Sequence, residues 1–298
     1  MENNQKSHSF IPPGFPCYGE SNYTRLREID FHYLHWGKAE NPTIVMLHGF
    51  LDHAHTFDLL SSYLMDSFNI IAWDARGFGR TGRVHPSGYY HFIEYLYDLD
   101  LFMKNLKIRN VILLGHSMGG MIASLYTGVF PEKVSKLINM EGWMIPDSTF
   151  ADAPIRARRW IEEMEAEGSF KPLASIEEAT KRLQKNDPLM PNDIAHHLAY
   201  EGTKVENDGL YWCHDPLHRT RSPQPAYIEQ LEAFWNRIEC PTLLLKGEKT
   251  VLPLIDCDRR INAYKNHKFI EVKNAGHNLH LHQPEEISNF IRDFIQTG

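Results

Sequence analysis

Asn110-Val-Ile-Leu-Leu-Gly115-His-Ser117-Met-Gly-Gly120 reads as a buried strand, a tight turn and the opening of a helix. The run Val111–Leu114 is wholly apolar, as a parallel strand is when helices cover both its faces. An apolar helical pattern follows over Met118–Phe130. Between them stands G-x-S-x-G. A nucleophilic serine needs a turn that holds its Oγ clear of the sheet. Glycine two positions before and two after lets the neighbouring backbone pass without a Cβ clash. Ser117 is therefore the candidate nucleophile, with His116 beside it as a candidate pocket residue. The N–H of Met118, at the helix start, is one of the two donors an oxyanion hole requires.

Working outward, the same alternation recurs. Strands are expected at Glu28–Trp36, Thr43–Leu47, Phe68–Trp73, Val134–Met140, Thr242–Leu245 and Lys268–Val272, besides Asn110–Leu114. Helical patterns fall at Phe57–Met65, Phe92–Leu106, Leu254–Tyr264 and Pro284–Gln296. This order predicts an α/β fold with a mostly parallel open sheet. From Trp143 to Arg237 no strand run is visible. Helical segments at Ile155–Glu167, Ser175–Gln184, Asn192–Glu201 and Ala226–Arg237 are divided by Pro-containing turns. The expected organisation is an irregular arm over 1–22, a core of 23–142 and 238–298, and a helical cap insertion over 143–237.

Composition narrows the function. The chain has 298 residues, 42% of them hydrophobic, with 31 Lys+Arg against 38 Asp+Glu and a net charge of −7. That balance, without a basic run, argues against nucleic acid or an anionic membrane as partner. No apolar stretch approaches the ~18 residues of a membrane span. Met1–Ser9 is polar, and the four cysteines lack a C-x-x-C pair. A cytoplasmic location is expected.

A serine nucleophile needs a base. Ala275-Gly-His277 follows the last expected strand, which places His277 at the carboxyl edge of the sheet, where open α/β folds bind ligands. The strand Thr43–Leu47 runs into His48-Gly-Phe50, and Phe50 N–H is the second candidate oxyanion donor. Two histidine-rich runs invite a metal reading: His48, Asp52, His53 and His55, and His277, His280 and His282. Neither has credible ligand spacing, so no metal and no cofactor are expected. Gly77-Phe-Gly-Arg-Thr-Gly82 spells a dinucleotide fingerprint but runs into a loop rather than a helix, and reads as a turn.

His48-Gly-Phe50, Asp74-x-Arg76-Gly77-x-Gly79, Gly115-His-Ser117-Met-Gly-Gly120 and Gly276-His277, in this order, resemble the α/β-hydrolase fold family from about residue 28 to the end. Glu141-Gly-Trp143, Arg158-Arg-Trp160, Asp215-Pro-Leu-His-Arg219 and Ser222-Pro223 resemble its serine-hydrolase-like subgroup. The family usually carries its acid three residues after the Gly ending the penultimate strand. Here that position is Thr250. Some members carry the acid one strand earlier, and Glu141, ending Leu137-Ile-Asn-Met-Glu141, stands there. Right-handed crossover connections bring that strand's end to the edge that holds Ser117. The resemblance thus implies a Ser117–His277–Glu141 triad and an ester or related acyl substrate of small-molecule size. Haloalkane dehalogenases and epoxide hydrolases use an aspartate nucleophile, which this chain lacks. Amide, thioester and carbon–carbon cleavage use the same parts, as would a lyase or a cofactor-independent oxygenase, and a non-catalytic ligand receptor keeps the fold. Trp143 and Trp212 are expected at the pocket, and the oligomeric state is left open.

Overall fold

The structure is a computed structural model that describes residues 19–166, 171–206, 209–252 and 255–297. Its main sheet has the order β1 (Glu20–Leu26), β2 (Ile29–Trp36), β4 (Asn69–Trp73), β3 (Thr43–Leu47), β5 (Val111–His116), β6 (Val134–Met140), β9 (Thr242–Gly247), β10 (His267–Val272). Within it β4, β3, β5, β6, β9 and β10 pair in parallel; β2 is antiparallel to both β1 and β4. The central strands are apolar on both faces because both faces are covered. Val45, Leu47, Ile71, Trp73 and Leu113 enter one core, while Ile44, Met46, Ile70, Ala72, Ile112 and Leu114 enter the other. Strand order reverses between β3 and β5, so the loops leaving their carboxyl ends open a crevice at the switch point. Phe50 and Ser117 stand on those two loops.

Four expectations need correction. Strand β1 begins at Glu20, inside the stretch read as an irregular arm; residues 1–18 of that arm lie outside the described residues. The insertion carries a short antiparallel hairpin, β7 (Thr203–Glu206) and β8 (Gly209–Trp212), where no strand is expected. Its last helix, α7 (Ile228–Trp235), belongs to the core layer: Trp235 stacks on Tyr264 at 5.3 Å, and Arg237 Nε donates to Gly128 O, at 2.8 Å, on α3 (Met118–Val129). The insertion proper therefore ends before Ile228, not at 237. The helix expected over Leu254–Tyr264 is the shorter Cys257–Asn262, with 253–254 outside the described residues, as is Glu167 at the end of the first insertion helix. No described helix is long and apolar enough to cross a membrane.

A buried ionic knot ties the insertion to the core. Asp58, which opens α1 (Asp58–Leu64), accepts at Oδ2 from His55 Nδ1 (2.8 Å) and from His197 Nε2 (2.7 Å) on α6 (Asn192–Glu201). Burial alone would raise the Asp58 carboxyl, but the two imidazoles outweigh it and hold the group below its usual value. Burial would lower His55; Asp58 and Glu201 outweigh it and hold the ring above its usual value. The pair therefore stabilises the fold fully between the unfolded values of about 3.9 and 6.5. The contribution fades as pH falls through the Asp58 value or rises through the raised His55 value. Asp58→Asn should cost about 3 kcal/mol in denaturant titrations at about pH 5.5 and clearly less at about pH 8.5. An equal cost at both pH values excludes His55⁺ as the partner.

Candidate active site

Ser117 sits between β5 and α3 with φ +51° and ψ −116°, a conformation that L residues avoid. The turn around it has no room for side chains. A Cβ on Gly115 would lie 2.3 Å from Gly119 O, and one on Gly119 would lie 2.0 Å from Leu47 O at the end of β3. The elbow is braced by Ser117 N–H donating to Met140 O at 2.8 Å. Met118 is the first residue of α3, so its N–H has no acceptor within the helix. Phe50 follows Gly49, where a Cβ would lie 2.9 Å from His116 Nδ1 and 3.5 Å from Ser117 Cβ.

His277, on the loop after β10, faces this serine. Its Nε2 is 3.0 Å from Ser117 Oγ and its Nδ1 is 2.6 Å from Glu141 Oε2. The imidazole is a quarter exposed, whereas the Glu141 side chain is fully buried. Glu141 follows β6 with φ +57°. Its Oε1 accepts from Gly247 N–H (2.7 Å) and its Oε2 from Thr250 Oγ (2.8 Å). The structure thus brings Ser117, His277 and Glu141 into one hydrogen-bonded chain.

Thr250, noted in the sequence only as a missing acid, is a donor to the relocated one. Asn139 is a second residue that sequence reading misses. Its Oδ1 accepts from Gly142 N–H (2.7 Å), while Nδ2 donates to Gly120 O (3.1 Å) and Ser124 Oγ (2.7 Å). It clips the Glu141 turn to the start of the nucleophile helix. An asparagine inside the otherwise apolar Leu137-Ile-Asn-Met140 was the available signal, since a buried amide must find partners.

Two cavities meet at Ser117. One, of about 480 Å³, is mainly apolar, with Met118, Met121, Met144, Ile145 and Leu252 on its wall. The other, of about 300 Å³, carries His277, His116, Asp52, Asn278 and Trp212. His116 and Trp212 both lie on this wall. Trp143 does not: it is fully buried in the apolar core, with its carbonyl accepting from Arg260 Nη1 at 2.8 Å. Burial, reinforced by His280 and His277, holds His116 well below the usual imidazole range. Burial likewise pushes Asp52 up to about 7.

Among the described residues neither histidine run by itself brings three ligand atoms together. His48 Nδ1 donates to Gly49 O (2.7 Å) and its Nε2 accepts from Ala75 N–H (3.0 Å). His282 Nδ1 accepts from Gly276 N–H (3.1 Å) and its Nε2 donates to Asp187 (3.0 Å). Residues 77–82 form an irregular turn from which no helix opens, and the Asp74 carboxylate pins it by accepting from Arg80 N–H (2.8 Å) and Ala54 N–H (2.6 Å).

Residues 42–284 match the family described as alpha/beta hydrolase fold. The chain belongs to the α/β-hydrolase fold family. Within it, the serine-hydrolase-like proteins are similar to this chain along most of its length. "Serine hydrolase-like protein 2" of Homo sapiens is 25% identical over 280 residues, covering 88% of this chain and 89% of the relative. "Serine hydrolase-like protein" of Danio rerio is 24% identical over 273 residues, covering 88% and 83%. Among solved α/β-hydrolase structures, "Thioesterase Domain From Curacin Biosynthetic Pathway" superposes with a TM-score of 0.83 at 22% identity, over 93% of this chain and all of that one.

Proposed function

We propose that the protein is a serine hydrolase that cleaves a carboxylic ester, or a related acyl bond, through a Ser117–His277–Glu141 triad. The observation that carries this reading is His277, within hydrogen-bond reach of Ser117 Oγ on one side and Glu141 Oε2 on the other. In the acylation step Ser117 Oγ attacks the carbonyl carbon while its proton passes to His277 Nε2. The buried Glu141 carboxylate stabilises the imidazolium. The N–H groups of Phe50 and Met118 receive the oxyanion. Collapse expels the alcohol with the proton from His277, and water then repeats the sequence on the acyl-enzyme.

The two cavities divide the substrate. The leaving group must lie within reach of His277, so it occupies the polar cavity that His277 and Trp212 share. The acyl chain takes the apolar cavity beside Met118 and Met121. The insertion from 143 to 227 acts as a cap over both. Among the described residues Cys240 and Cys257 are free thiols, which fits a reducing, cytoplasmic setting.

Rapid mixing with a p-nitrophenyl ester tests the chemistry. A burst of nitrophenolate, one per chain, is expected before steady turnover; a lyase or oxygenase that keeps His277 as base without a covalent step gives none. Trp212→Ala should raise KM about tenfold for esters of bulky alcohols and change methyl esters little. Equal loss across an alcohol series excludes Trp212 from the leaving-group site.

A further inference from the structure

The polar cavity holds a second group of ligating side chains that the triad does not use. One donor atom each from Asp52, His116 and His280 lies within 4.8 Å of the other two. They come from three separate places in the chain: the loop after β3, the residue before the nucleophile, and the short helix Leu279–His282. Both imidazoles are buried, His116 to 2% and His280 to 0% exposure, and their rings lie 4.5 Å apart.

Their tautomers follow from their neighbours. His116 Nε2 is 3.0 Å from the carbonyl oxygen of His277, which can only accept, so the proton is on Nε2. His280 Nε2 is 2.9 Å from Thr56 Oγ. Thr56 Oγ can accept from this nitrogen, which puts the proton again on Nε2. Each ring therefore keeps a lone pair on Nδ1, and neither Nδ1 has a hydrogen-bond partner. Two buried imidazole lone pairs and a carboxylate, with outer N–H groups fixed by a carbonyl and a hydroxyl, match how histidine ligands of transition metals are held. The other His/Asp cluster differs: in His55–Asp58–His197 both rings spend a nitrogen on the Asp58 oxygen.

The geometry points to a binding site for a divalent transition-metal ion, such as zinc, made by Asp52, His116 and His280, whose occupation inhibits the protein. Three protein ligands leave one tetrahedral position open toward the cavity. Inhibition, which rests on the serine-hydrolase reading, has two physical sources. Asp52 and His116 share the cavity wall with Ser117 and His277, so the ion and its bound water take leaving-group space. A dication beside His277 also opposes the imidazolium that forms during acylation.

Calorimetric titration of zinc chloride into the EDTA-treated full chain should show one saturable site. Asp52→Asn and, independently, His280→Gln should each weaken it about tenfold or more. Cobalt(II) should give the visible bands of a tetrahedral site in the wild type alone. Zinc should slow labelling of Ser117 by a fluorophosphonate, and EDTA should restore the rate; zinc-free labelling reports separately on the serine-hydrolase reading. Absence of saturable zinc uptake, or unchanged affinity in whichever of the two variants folds, overturns the site. Binding lost in the variants but without effect on wild-type labelling overturns the inhibition.

Discussion

Ser117→Ala should lower kcat toward esters by roughly 10⁶, leaving the small rate that oxyanion donors and binding alone sustain. A fluorophosphonate should label the wild type at one residue and the variant at none, as read by intact-mass and peptide mass spectrometry. The effect is large because the hydroxyl supplies the bond-forming atom, and no neighbouring side chain replaces it. His116 precedes it on β5, but its Nε2 proton is engaged by the His277 carbonyl. Met118 follows it and offers only its backbone. Fold stability should change little or even rise, since alanine removes no buried contact while the backbone keeps its φ of +51°. A variant that melts with the wild type yet hydrolyses esters within tenfold of it sinks the nucleophile assignment. Retained turnover together with absent labelling of the wild type favours His277 acting as base without a covalent step.

How much of this is legible in the sequence depends on the range of the interactions. Val111–Leu114 and Ile44–Leu47 announce themselves because strands buried on both faces have no polar positions to blur the run. Strand β1, Glu20-Ser-Asn-Tyr-Thr-Arg-Leu26, is an edge strand with only Thr24 and Leu26 buried, so it carries almost no apolar signal. Hairpin β7–β8 is four residues a side and half-exposed, too short for periodicity to register. Helix α7 is visible as a helix, but nothing local tells a cap helix from a core helix. That depends on Trp235 meeting Tyr264 across the fold. The same limit governs the site. The turn at Ser117 is a local requirement, and the placement of His277 and Glu141 follows from strand order. The roles of Thr250 and Asn139 arise only once β6 and β9 lie side by side. Trp143 is expected at a pocket only because it is aromatic, and an aromatic ring serves a core as well as a wall.

Glu141→Gln should lower kcat by roughly 10³ to 10⁴ while binding of substrate is largely kept. Glutamine preserves shape and can still accept at one oxygen from Gly247 N–H. It removes the charge that stabilises the His277 imidazolium. If its amide nitrogen takes the Oε2 place, it donates toward His277 Nδ1 and pushes the imidazole proton onto Nε2, the nitrogen that must be bare to accept from Ser117. Thr250 then faces a donor instead of an acceptor, which sets the other orientation against the loss of charge. Thr250→Val should therefore cost much less, about tenfold, because Glu141 keeps Gly247 N–H and His277. The other acids near the usual position are poorly placed. Glu248 is turned outward, with Asn274 N–H (2.9 Å) and Lys273 Nζ (3.2 Å) on its carboxylate. Asp256 and Asp258 lie at the start of the helix Cys257–Asn262. Asparagine at either should leave kcat within about tenfold. The measurement that separates these is kcat and KM for each variant on one ester. The kcat should fall in Glu141→Gln and stay near the wild-type value in Asp256→Asn and Asp258→Asn, because of the three only Glu141 touches the His277 ring. A Glu141→Gln enzyme with near-normal turnover, beside an inactive but folded aspartate variant, would mean that the acid of the triad is carried after β9 and not after β6.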